Sequence, residues 1–111
     1  MREDLPDFTA RASAFLKVFA GRTRSMLIWE LLDGEKSVND LAEAVGSSTT
    51  AVSQQLAVLR GEGIVARRPS GQKAFYSLTS DEARHFVTAL RELLLQKARA
   101  TEIEQAHERA A

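Results

Sequence analysis

Thr49, Thr50, Ser53, Gln54 and Ala57 are the residues of this 111-residue chain whose types and spacing carry the most specific chemistry. At about 100° per residue on a helix, Thr50, Gln54, Ala57 and Gly61 share one side. Val52, Leu56 and Leu59 lie opposite, with Ser53 and Arg60 on one flank, Val58 on the other, and Gln55 nearer the edge. The outward side therefore offers hydroxyls, one carboxamide, a methyl and a bare glycine. Hydroxyls serve as donors or acceptors, a glutamine can pair with adenine through two hydrogen bonds, and small side chains allow close approach, so this set suits a DNA major groove. Ser48 and Thr49 stand at the start of the same helix, where free backbone amides favour phosphate. Read in isolation, the hydroxyls at 47–50 could equally be helix caps and the glutamines solvated polar groups.

The surrounding elements decide between these readings. Phe8, Ala12, Phe15 and Phe19, spaced four, three and four apart, predict a helix from Phe8 to Ala20 that Gly21 interrupts. A densely apolar helix follows from about Arg24 to Leu32, nearly apolar all round, which marks burial and puts Trp29 in a core or an interface. In "SVNDLAEAVG", Ser37 and Asp40 have the spacing of a capping box, Leu41 and Val45 share a face, and Gly46 is placed as a stop. Ser48 can cap the next helix, whose stripe is Val52, Leu56 and Leu59 and which ends in "RGEG". Two short helices joined by a tight glycine turn form a helix-turn-helix. Beyond Gly63 the period shortens: "IVARR" and "KAFYSL" flank the turn residues "PSGQ" and predict a β-hairpin, with Phe75 and Tyr76 covering both its faces. Thr79 and Glu82 suggest a second capping box, followed by a long helix to about Ala106 with a broad stripe of Ala83, Phe86, Val87, Leu90, Leu93, Leu94 and Ala98. The fold class expected is mainly α with a small β-hairpin, in the order of four helices, hairpin, helix: a winged helix-turn-helix.

Formal charge is zero, with 15 basic and 15 acidic residues, but the distribution is uneven. Residues 47–78 hold Arg60, Arg67, Arg68 and Lys73 against Glu62 alone, whereas residues 22–46 carry a local excess of acid. Because salt screens beyond roughly 8–10 Å, a phosphate backbone responds to the local patch. Hydrophobic residues at 44% and charged residues at 27% place the chain among globular proteins of one domain. The lack of cysteine excludes disulfides, thiolate zinc and thiol redox sensing. No apolar run approaches the ~18 residues of a membrane span, and "MREDLPDF" is acidic rather than signal-like, so the expected location is the cytoplasm, with no membrane partner.

"SVNDLAEAVGSSTTAVSQQLAVLRGEGIVARRPSGQKAFYSL" resembles the core of the ArsR family of bacterial transcriptional repressors. Leu41, Ala42, Gly46, Ser48, Val52, Ser53, Leu56, Leu59, Arg60, Gly63, Val65, Gly71, Tyr76 and Leu78 match the family frame in place, as do Thr23 and Arg24. Gln55 departs from it, standing where histidine is frequent. The resemblance covers about residues 8 to 95. It implies a homodimer, built chiefly from the first and last helices, that binds a pseudo-palindromic operator in double-stranded DNA. Residues 1–111 then form one domain, with about 8–20 and 80–106 as dimerisation helices, 37–63 as the helix-turn-helix and 64–78 as the wing. Phe8, Phe15 and Phe19, with Phe86, Leu90, Leu93 and Leu94, offer more apolar surface than one small core consumes and are the candidate dimer residues. Arg24, Ser48, Thr49, Thr50, Ser53, Gln54, Gln55, Arg60, Arg67, Arg68 and Lys73 are the candidate DNA contacts, the last three through the wing.

Repressors of this family typically release DNA when a metal or another signal binds. The family's cysteine pair at the start of the third helix has no counterpart in "EKSVNDL". Its other site pairs Asp and His of one final helix with residues of the two-fold mate; Asp81 and His85 match the first half, but Gln96 and Arg99 occupy the later positions. Asp81, His85 and Glu92 share a helical face and His107 lies among glutamates, a nitrogen and oxygen set suited to nickel or zinc. The alternatives are solvated histidines, another effector, or a signal received from a second regulatory protein. An enzyme is not expected from two histidines, no cysteine and no glycine-rich phosphate loop. A winged-helix module that binds proteins without specific DNA binding would explain the fold, but would not require a small, neutral helix rim beside a cationic hairpin.

Overall fold

The computed structural model describes residues 5–110; residues 1–4, which hold most of the acidic start, and Ala111 lie outside that span. Its elements are α1 (Leu5–Val18), α2 (Arg22–Leu31), β1 (Lys36–Ser37), α3 (Val38–Val45), α4 (Thr49–Gly61), β2 (Val65–Ser70), β3 (Lys73–Leu78) and α5 (Asp81–Ala110). The chain divides into two compact units between Ser80 and Asp81. Among the described residues no helix is long and apolar enough to cross a membrane.

The first unit is organised by the apolar spacing of its helices. Leu27, Ile28 and Leu31 of α2, Leu41 and Ala42 of α3, and Val52, Leu56 and Leu59 of α4 are buried and meet Ile64, Val65, Tyr76 and Leu78 from the sheet end. Full burial of each larger side chain contributes about 1.5–3 kcal/mol, so the stripe of α4 fixes which of its sides remains outward. Met26, Trp29 and Leu32 are only half-buried, so α2 is less fully enclosed than its composition suggests. At the other end of α2, the Ser25 hydroxyl donates to the Phe19 carbonyl at 2.6 Å and ties it to the end of α1.

Several boundaries differ from expectation for identifiable reasons. α1 ends at Val18, which leaves Phe19 in the following turn; its ring nevertheless lies 5.0 Å from that of Phe15, tilted by 56°. β1 is an unforeseen third strand, and the sheet order is β1-β3-β2, all antiparallel. The hairpin turn is Gly71–Gln72, closed by the Ser70–Lys73 pair. Gly71 has φ +61° and, among the described residues, every non-glycine residue including Gln72 has negative φ, the combination that a type II′ turn requires. Pro69, expected in the turn, pairs with Ala74 inside β2; β2 is an edge strand, so the missing proline N–H leaves no ladder bond broken. Ser37 is buried, and its hydroxyl accepts the Asp40 amide at 3.1 Å, the first half of the expected capping box.

The second unit is α5 itself, 30 residues and therefore ~45 Å long. It begins at Asp81, so the residue ahead of its first turn is Ser80 and the capping box predicted at Thr79 is one position out of register. Ala83 and Val87 are its buried residues, while Leu90, Leu93 and Leu94 are exposed.

Candidate nucleic-acid interface

The direction of α4 is set by a short turn. Gly46 closes α3 in the left-handed region, φ +68° and ψ +36°, and its amide donates to the Ala42 and Glu43 carbonyls. Only a residue without a side chain adopts this geometry at no cost. Two residues later, the Ser48 hydroxyl accepts the Ala51 amide at 3.1 Å and the Val52 amide reaches the Ser48 carbonyl at 3.0 Å. Ser48 thus acts first as the helix cap, and the start of the helix leaves the Thr49 and Thr50 amides without an intrahelical carbonyl.

With Val52, Leu56 and Leu59 fully buried, α4 turns Thr49, Thr50, Ser53, Gln54 and Ala57 outward, where they line one open surface depression. All five are exposed, and their side chains make no hydrogen bond or ion pair among the described residues. Gln55 is half-buried at the edge of this surface, and Arg60 is exposed in the last turn. Thr50, Ser53, Gln54 and Ala57 carry donors, acceptors and methyl groups but no charge, which equips them to read base edges rather than to hold backbone, whereas Thr49 stands beside the free amides of the helix start.

The wing is built differently. Alternation puts Arg67, opposite Tyr76, on one face of the hairpin and Arg68, opposite Phe75, on the other. Arg67 and Lys73 are exposed and make no ion pair among the described residues. Arg68 is engaged: Nε and Nη2 donate to the two carboxylate oxygens of Glu35 at 3.0 and 2.6 Å, and its guanidinium carbon lies 4.8 Å from the Phe75 ring centroid. These hydrogen bonds hold the Glu35 carboxyl below its ordinary range and push the Arg68 guanidinium higher. Glu35 and Phe75 were not among the sequence candidates. Glu35 lies 33 residues from Arg68, and only the acidic excess of 22–46 against the basic excess of 47–78 hinted at such a pairing.

Arg24 lies in the first turn of α2, where its side chain folds back over Gly21; Nη2 points to the Lys17 carbonyl at 3.5 Å, while Nε is buried without a partner. Of the candidate dimer residues, Phe8, Leu90, Leu93 and Leu94 are exposed, Phe8 at 66% and Leu93 at 63%, and Phe15, Phe19 and Phe86 are half-buried. Leu16, Leu95 and Ile103 are further exposed apolar residues that the helical stripes did not single out.

Within one chain the expected metal ligands do not come together. Among the described residues no group of three or more His, Asp or Glu is placed to hold an ion. Asp81, His85, Glu92 and His107 all lie on α5, where a rise of 1.5 Å per residue separates Asp81 from Glu92 by ~16 Å and from His107 by ~39 Å. A shared helical face brings side chains into one line, and a single ion needs them at one point.

Comparison with known proteins bears on the arrangement as a whole. Residues 21–67, which span α2, α3, α4 and the start of β2, match the model of the bacterial regulatory proteins of the arsR family. The chain is 38% identical over 89 residues to a biofilm growth-associated repressor of Xylella fastidiosa, covering 80% of this chain and 78% of that one. It is also 35% identical over 94 residues to the transcriptional activator HlyU of Vibrio cholerae, covering 85% and 87% respectively. The chain belongs to the ArsR family. Among solved structures, the transcriptional repressor BigR from Xylella fastidiosa superposes with a TM-score of 0.76 at 36% identity, over 84% of this chain and 95% of that one. As an ArsR-family member the protein is a DNA-binding transcriptional regulator with a winged helix-turn-helix, and not an enzyme.

Proposed function

We propose that this ArsR-family regulator acts in the cytoplasm as a homodimeric repressor, reading a pseudo-palindromic operator with the outward rim of α4 and gripping the flanking backbone with its wing. The observation that carries this reading is the rim itself: Thr50, Ser53, Gln54 and Ala57, exposed, uncharged and with side chains bound to nothing else among the described residues. Thr49 and the helix-start amides would meet phosphate, and Arg60, Arg67 and Lys73 supply cations beside it. Exposed Phe8 on α1 and exposed Leu90, Leu93 and Leu94 on α5 support burial against a second copy. A nickel or zinc response would have to be built on Asp81 and His85, one turn apart, with further ligands from outside this chain.

Selection from a random duplex library, followed by binding of the enriched and a random duplex over a salt series, tests the reading. The expected result is an enriched inverted repeat with half-sites about one helical turn apart, ~34–36 Å, bound by a dimer. Affinity should fall with salt at a log–log slope of about −0.9 per phosphate contacted. A chain that sediments as a monomer and enriches no sequence would overturn it in favour of a protein-binding module.

A further inference from the structure

Arg68 is oriented before any DNA arrives. Phe75 is its partner across the hairpin and also pairs with Ser37 of β1, so the ring sits in the middle strand of the sheet. The Arg68 side chain crosses this strand over the ring, and its guanidinium meets Glu35 at the far side, just ahead of β1. Two N–H groups of one guanidinium directed at two oxygens of one anion is also the geometry by which arginine takes a phosphate. Both partners remain open to solvent, with side-chain exposures of 56% for Arg68 and 35% for Glu35. Exposed pairs of this kind are held weakly and are screened by salt, so the anion in the fork can be replaced without unfolding the wing.

We infer that Glu35 is an internal substitute for a DNA phosphate: it occupies the Arg68 fork in the free protein, and the wing engages the duplex by exchanging this carboxylate for a backbone phosphate. The inference rests on the proposed role of the wing as a DNA contact. Phe75 keeps the guanidinium in place under either anion, which makes the exchange local. Exchange also leaves a signature in salt dependence. A phosphate entering the fork releases a cation from DNA, but Glu35, now unpaired, attracts one, so the wild-type slope under-reports this contact. Removing the carboxylate should restore it.

The experiment measures binding of wild type, E35Q, E35D, R68A and the E35Q/R68A double variant to the selected operator and to random duplex across a salt series, with thermal melts of each protein. E35Q is expected to bind both duplexes about three- to fivefold more tightly at ~0.1 M salt, with a log–log slope steeper by up to about 0.9. That gain should vanish in the double variant. E35D keeps the charge but shortens the arm, so it should tighten binding by a smaller factor, which a through-space charge effect would not produce. If Glu35 is only a strut for the wing, E35Q and E35D bind no better than wild type, and the inference fails. It fails as well if the gain of E35Q persists without Arg68. Should the wild type bind no duplex at all, the proposed function falls with it; wild-type binding without a gain in E35Q removes this inference alone.

Discussion

Along α4 the exposed Thr50, Ser53, Gln54 and Ala57 hold no charge and their side chains no partner among the described residues, whereas the wing exposes cations of which Arg68 is already bound to Glu35. The two surfaces differ in reach as well as in charge. Short groups on a rigid helix can read only a surface that fits them, so they distinguish one base pair from another. Long cations on a hairpin can follow a backbone that looks alike everywhere, so they add affinity but little discrimination. On the proposed reading, specificity and strength fall to different elements, and each can be altered without the other.

Placing a charge on the neutral rim should break this division most severely. Ala57→Glu sets a carboxylate against the polyanion at a position the fold does not use, and is expected to cost several kcal/mol of binding while the melting temperature holds. Competition binding alongside a thermal melt checks both halves of that statement. Next in size, Gln54→Ala should lose ~1–3 kcal/mol at the selected operator and relax preference at one base position, with little change on random duplex. Equal losses on both duplexes would place Gln54 on the backbone side of the comparison. Arg67→Ala should do the reverse, weakening all sequences alike and flattening the salt slope by about 0.9. The smallest effect concerns acid. Because Arg68 holds the Glu35 carboxyl below its ordinary 4.5, the pair's contribution is complete above that value and is lost as pH falls through the lowered one. NMR titration of the Glu35 side-chain carbon should show the depressed midpoint in wild type and a return toward the ordinary value in Arg68→Ala.

Much of this organisation was legible in the residues themselves. The stripe of Val52, Leu56 and Leu59 fixed the buried side of α4, and therefore its outward side, because both follow from one local period. Ser37 and Ser48 announced their caps through hydroxyls that act three residues ahead, and Gly46 announced its own through the lack of a side chain. What escaped was set at a distance. β1 is two residues long and exists only because Lys36 and Ser37 find Tyr76 and Phe75 across the sheet. The same pairing brings Glu35 to Arg68, so the wing arginine read as a candidate DNA contact also has a partner within the fold. Pro69 was misplaced because its tolerance inside a strand depends on which strand lies at the edge, and no local pattern states that. The metal set met a different limit: helical period puts Asp81, His85 and Glu92 on one face of α5 but carries no information about their separation along the axis.

The left-handed glycine at position 46 and the serine cap at 48 have a further consequence. They hold the orientation of the following rod through groups that lie outside its exposed rim, so the rim can be rewritten while its mounting stays intact. If the rim reads the operator as proposed, new preferences can arise by swapping a handful of surface letters, with no repair of the scaffold beneath them. With the role proposed for the rim, what such a regulator reads can change while the way its reading helix is held stays the same.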